Sequence, residues 1–163
     1  MYFIKICDMK IYSLLIAAAW LLNACDGAET EPDAGIKEQA RKFAEAYFNY
    51  DFATASHLAT PESEKWLRFA ASNVTQEDID VINGTPEAAT AEVTKCCHLD
   101  DSTARVVVTV SGVVLKDSIG QPAHVASEAE FALTLVRRND DYIVRMEGLP
   151  RNEKHSRGSV SGE

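Results

Sequence analysis

The sequence predicts an α+β domain, with N-terminal helices packed on a curved antiparallel sheet, preceded by a short apolar leader. Three observations carry this. Residues 11–22 form an apolar run that stops at Cys25. From residue 33 to 84 the apolar residues recur at helical spacing. After Pro86 the period becomes twofold and stays so to residue 147.

The leader comes first. Leu22-Asn23-Ala24-Cys25 closes the apolar run and resembles a bacterial lipoprotein lipobox: a small residue before the cut, and a thiol at the cut able to carry a diacylglycerol. Asn23 is more polar than such motifs usually carry. The run is too short for a comfortable membrane span, which favours a cleaved signal over residues 1–24. Cys25 is then the lipidation site, and the protein is expected in the bacterial cell envelope, anchored to a membrane. At about 0.8 kcal/mol per buried CH₂, more than one acyl chain makes such an anchor stable. Met9-Lys10-Ile11 opens a better formed signal than Met1 does, so Met9 is the expected initiator.

Charge sets the next boundary. Removing residues 1–24 takes Lys5, Lys10 and Asp8 from the 16 basic and 25 acidic side chains, leaving 14 against 24 and a net charge of −10. This argues against nucleic acid as a partner. The remaining chain of about 140 residues is one domain, long enough to bury roughly two thirds of its unfolded surface. Residues 25–34 are acidic and read as a tether, 35–148 as the folded domain, and 149–163 as a disordered tail with the single apolar residue Val160 after Pro150.

Within the domain, Asp33 is a suitable N-cap for a helix with Ile36, Ala40, Phe43, Ala44 and Tyr47 on one face. Asn49-Tyr50-Asp51 interrupts it. Phe52, Ala55 and Leu58 mark a short second piece, ended by Thr60-Pro61. Pro61 suits the first turn of the next helix, where its missing N–H is not needed. There Trp66, Phe69 and Ala70 form the apolar stripe. Thr75-Gln76-Glu77-Asp78 resembles a capping box opening one more helix, which Asn83-Gly84 ends.

Three or four β segments follow. Strict alternation over 91–99 places Val93, Lys95, Cys97 and Leu99 on the apolar face and Cys96 and His98 on the other; a register break would reverse this. Residues 104–116 have valines on both sides and read as a central strand, with Gly112 allowing a bend. Residues 117–122 form a loop. Val125, Ala129, Phe131, Leu133 and Leu135 mark the core face of a third strand, and Asn139-Asp140-Asp141 turns into a fourth over 142–147.

This order of elements resembles the NTF2-like (cystatin-like) superfamily, in particular small envelope lipoproteins with such a domain. The resemblance spans 36–147. It rests on element order, the Ala46-Tyr47-Phe48-Asn49-Tyr50-Asp51-Phe52 stretch between two helical pieces, and the closing Asp141-Tyr142-Ile143-Val144 strand. It implies helices across a concave sheet, often leaving a cone-shaped pocket, and frequent dimerisation through the sheet. It implies no reaction, because the fold hosts enzymes and binding modules alike.

Candidate functional residues are few. Tyr47 and Trp66 are the candidates for lining a ligand pocket. Catalysis on such a fold needs an acid, tyrosine or histidine aimed into the apolar cavity, yet alternation turns His98, His124, Glu128 and Glu130 away from the core. No catalytic residue is therefore assigned. Lys95 reads as a snorkelling rim lysine and His57 as a surface residue. Cys96 and Cys97 are too close in sequence for an easy disulfide. Cys96, Cys97, His98, Asp100 and Asp101 crowd together, but at most two of them converge without help from elsewhere, so neither metal nor cofactor is expected. The resulting expectation is a non-catalytic, membrane-anchored module that binds a small apolar ligand, a peptide or an envelope protein. A second copy covering the back of the sheet is a further expectation. The alternative is a pocket enzyme of the isomerase or dehydratase type.

Overall fold

A computed structural model describes residues 31–116 and 121–153, except for the side chains of Glu31 and Pro32. The signal 1–24, the Met9 start, the Cys25 lipidation site, residues 26–30, loop residues 117–120 and the tail from 154 lie outside the described residues.

Helix α1 (Glu31–Phe48) buries Ile36, Ala40, Phe43 and Ala44 completely, as their spacing predicts. It begins inside the expected tether. Asp33 therefore stands in the first helical turn instead of capping it; Pro32 is tolerated there because first-turn N–H groups have no helical partner. On the wet face Arg41 holds Glu38 at 2.9 Å and Glu45 at 2.7 Å.

The helix ends where Tyr50 takes the left-handed conformation, φ 63°. Asp51 then caps α2 (Phe52–His57), its carboxylate accepting the Thr54 N–H at 3.0 Å. A 3₁₀ turn (Pro61–Ser63) leads into α3 (Glu64–Ser72). Here the expected stripe holds in part: Trp66 is half-buried against the core and Ala70 is half-buried, but Leu67 is the buried residue and Phe69 is 43% exposed. The tighter 3₁₀ turn shifts the phase of the helix that follows it. Helix α4 (Gln76–Gly84) has the anticipated capping box, with Thr75 and Asp78 bonding each other's backbone N–H.

The sheet has four antiparallel strands in chain order: β1 (Thr90–Asp100), β2 (Thr103–Leu115), β3 (His124–Arg138) and β4 (Asp141–Arg145). Ala104, Val106, Val108 and Val110 face Leu135, Leu133, Phe131 and Ala129 across the β2–β3 ladder. All eight are buried with the apolar face of α1. Each fully buried large side chain contributes about 1.5–3 kcal/mol. At Gly112, φ 65°, the alternation lapses: Val113 and Val114 are both buried, and Val125 opposite, expected in the core, is 52% exposed.

Two further expectations change. In β1 the pairing with β2 slips by one residue between Val93 and Lys95, and again between His98 and Asp100. Val93 stands opposite buried Val108, but after the first bulge Cys96 pairs with buried Val106 and His98 with buried Ala104. Lys95 and Cys97 thus leave the helix side of the sheet, and Cys96 and His98 enter it. A bulge adds one residue to one strand and inverts its parity from there on. The expected tail also begins later than 149, because Asn152 bridges back to Phe131 and Glu153 reaches Arg105 at 3.9 Å.

Candidate functional site

The helix–sheet junction is assembled around the end of α1. Asn49 donates from Nδ2 to the carbonyls of Glu45 and Ala89, both at 2.8 Å, and its Oδ1 accepts the Ala89 N–H at 2.8 Å. These contacts fix the approach to β1. Next to it the Tyr50 hydroxyl donates to the Val114 carbonyl at 3.1 Å, fastening the left-handed turn to β2.

Between these anchors lies a cavity of about 230 Å³, bordered by Phe48, Tyr50, Ile82, Ala88, Gly112 and Val114 among others. It is largely apolar, with Asn49, Thr85 and Glu87 as polar borders. One turn before Ile82 on α4 sits Asp78, the only charged residue buried among the described residues, 1% exposed. Lys116 Nζ lies 2.6 Å from its Oδ2, and the Thr75 N–H donates to the same oxygen. Lys116 also donates to the Asn73 carbonyl. Burial alone would raise the Asp78 pKa, but the Lys116 and Thr75 hydrogen bonds and the Lys116 charge outweigh it and hold the carboxyl down to about 2. The Tyr50 hydroxyl moves the other way, upward, through burial and then the Asp78 charge.

The two ligand-lining candidates are not brought together in this cavity. Tyr47 sits in an aromatic cluster, 5.8 Å from Phe43, 5.0 Å from Phe48 and 5.6 Å from Phe52 between ring centroids, and burial raises its hydroxyl pKa. Trp66 lies on α3 under the Lys65 ammonium, 5.1 Å from the ring centroid. The shallow depression beside it is bordered by Pro61, Glu62, Glu64, Lys65 and Arg68. Tyr50 and Ile82 border the cavity without having been singled out as ligand-lining candidates. Asp78 was legible only as a cap, because its partner Lys116 lies 38 residues away.

A second grouping lies at the other end of α1. Asp33 Oδ1 stands 2.7 Å from His98 Nε2, and with Cys96 they place one carboxylate oxygen, one imidazole nitrogen and one sulfur within 4.8 Å of one another. Cys96 and Cys97 are both free thiols, the first half-buried and the second exposed. Burial, then the Asp33 carboxylate, push the Cys96 thiol up, while Lys37 opposes them. His57 is exposed on α2, as expected.

No protein family model matches the sequence, and no curated protein does either. Solved structures similar to the chain include an NTF2-like protein of unknown function from Shewanella oneidensis MR-1, 14% identical over 69% of this chain and 93% of that one, with a TM-score of 0.45. A protein of unknown function from Mycobacterium tuberculosis is 12% identical over 74% of this chain and 75% of that one, with a TM-score of 0.44. Likenesses this distant transfer neither family membership nor activity.

Proposed function

We propose that the chain is an envelope lipoprotein, anchored by acyl groups on Cys25, whose NTF2-like domain is a non-catalytic module binding a small apolar ligand at the Phe48–Ile82–Val114 cavity. The observation that carries this is the largely apolar lining of that cavity, to which Phe48, Ile82, Ala88, Ala89 and Val114 contribute. At about 230 Å³ it is smaller than the roughly 300–1,000 Å³ of drug-sized sites, so the ligand is small. Proton transfer at neutral pH calls for a group whose pKa lies near 7. Asp78, held at about 2 and paired with Lys116, is a fixed anion at neutral pH and unsuited to that role.

The test is native mass spectrometry of the full chain extracted from its own membranes in mild detergent. A non-covalent small-molecule adduct on the wild type, lost in Ala88→Trp at the exposed rim of the cavity, supports the reading. A bare wild-type protein, or an adduct equally occupied in Ala88→Trp, overturns it. The same preparation tests the anchor: acyl mass on the peptide starting at Cys25 is expected, and an unmodified Cys25 in a wholly soluble protein refutes it.

A further inference from the structure

We propose that Asp33, Cys96 and His98 form a binding site for a late first-row divalent cation of the zinc type, joining the first turn of α1 to β1. This goes beyond the ligand-binding reading and does not depend on it. The grouping is produced by two local departures from regularity. Helix α1 starts early enough to carry Asp33 in its first turn, and the bulge between Val93 and Lys95 brings Cys96 and His98 to the helix side. In an unbroken strand both would face away. Cys96 and His98 are two residues apart on one face of an extended strand, and Asp33 approaches from 65 residues earlier in the chain.

The donor set is chemically specific. One thiolate, one imidazole and one carboxylate suit a borderline-soft ion, whereas calcium and magnesium take oxygen donors. With Zn–S near about 2.3 Å and Zn–N and Zn–O near about 2.0–2.2 Å, tetrahedral ligand atoms stand roughly 3.3–3.8 Å apart. The three atoms here lie within 4.8 Å, with the closest pair at 2.7 Å, so small side-chain rotations close the sulfur in and part the carboxylate from the imidazole. His98 and Cys96 keep enough exposure for an ion to enter from solvent. Binding replaces the contact between Asp33 and His98 and releases the Cys96 proton, so affinity rises with pH. Three protein ligands leave a fourth position for water.

The experiment uses the full chain in detergent, reduced and freed of metal, titrated with Co²⁺ and then with Zn²⁺ against a chromogenic chelator. The wild type is expected to bind one ion per chain and to show a thiolate-to-cobalt charge-transfer band with tetrahedral d–d bands. Cys96→Ser removes the charge-transfer band, and His98→Gln weakens binding by about tenfold or more. Cys97→Ser, on the opposite face, leaves band and affinity unchanged. Both side chains are partly or wholly exposed, and circular dichroism of the metal-free variants checks their fold. A wild type that shows no band, a band that survives Cys96→Ser, or one that disappears in Cys97→Ser overturns the site.

Discussion

Asn49 and Ala89 exchange two hydrogen bonds of 2.8 Å: the Asn49 Nδ2 donates to the Ala89 carbonyl, and the Asn49 Oδ1 accepts the Ala89 N–H. A side chain here takes the place of a strand neighbour, extending main-chain pairing from the end of α1 to the start of β1.

Replacing Asn49 by Ala leaves the Ala89 N–H and carbonyl without these partners at a half-buried position. The expected loss is about 1–3 kcal/mol, read as a lower urea midpoint at unchanged slope. Asn49→Asp keeps the acceptor but turns a carboxylate oxygen toward the Glu45 and Ala89 carbonyls, and should fall at least as far as Ala.

The Asp78–Lys116 pair gives a pH dependence of defined sign. The folded-state carboxyl is held at about 2, below its ordinary value of 3.8. The pair therefore contributes its full stabilisation above about pH 4, and that contribution is lost as pH falls through the window from about 4 to about 2. Thermal unfolding followed against pH should show this loss in the wild type. Lys116→Met, which strands a buried charge, should destabilise the protein at neutral pH by about 3–5 kcal/mol and flatten the acid limb.

Phe48 and Phe131 lie 4.1 Å apart between ring centroids, joining α1 to β3. Either Phe→Ala change should cost about 3–5 kcal/mol. Because the rings touch, the double mutant should cost less than the sum, with a coupling of about 0.5–1.5 kcal/mol beyond error. Strict additivity in a double-mutant cycle would show that each ring is held mainly by other neighbours.

Gly112 has φ 65°, and a Cβ placed there meets nothing within 4 Å. Gly112→Ala thus carries a backbone penalty without a steric one, and about 1 kcal/mol of destabilisation is expected in chemical denaturation. A larger loss would point to a clash that this geometry does not contain.

Much of the helical layer was legible because its signals are local. Ile36, Ala40, Phe43 and Ala44 repeat at the helical period, and the Thr75–Asp78 box spans four residues. The strands themselves could also be read from their twofold period, but their order in the sheet came only with the pairing of their backbones. What escaped was phase. A 3₁₀ turn before α3 moved burial from Phe69 to Leu67, and an extra residue in β1 moved Cys96 and His98 across the sheet. Neither leaves a mark in composition or spacing. The charged grouping at Asp78 and the Asp33 cluster escaped for a different reason: their partners are 38 and 65 residues distant, and only tertiary structure brings them within reach.

The bulge at Thr94 has a consequence for how β1 tolerates change in length. Removing Thr94 would straighten the ladder while leaving every residue from Lys95 onward opposite its present neighbour. Strict alternation from Val93 without the bulge would instead exchange the two thiols, turning the solvent-facing one inward and the sheltered one out. Which of two adjacent cysteines is sheltered and which meets solvent is thus decided by a single supernumerary residue upstream.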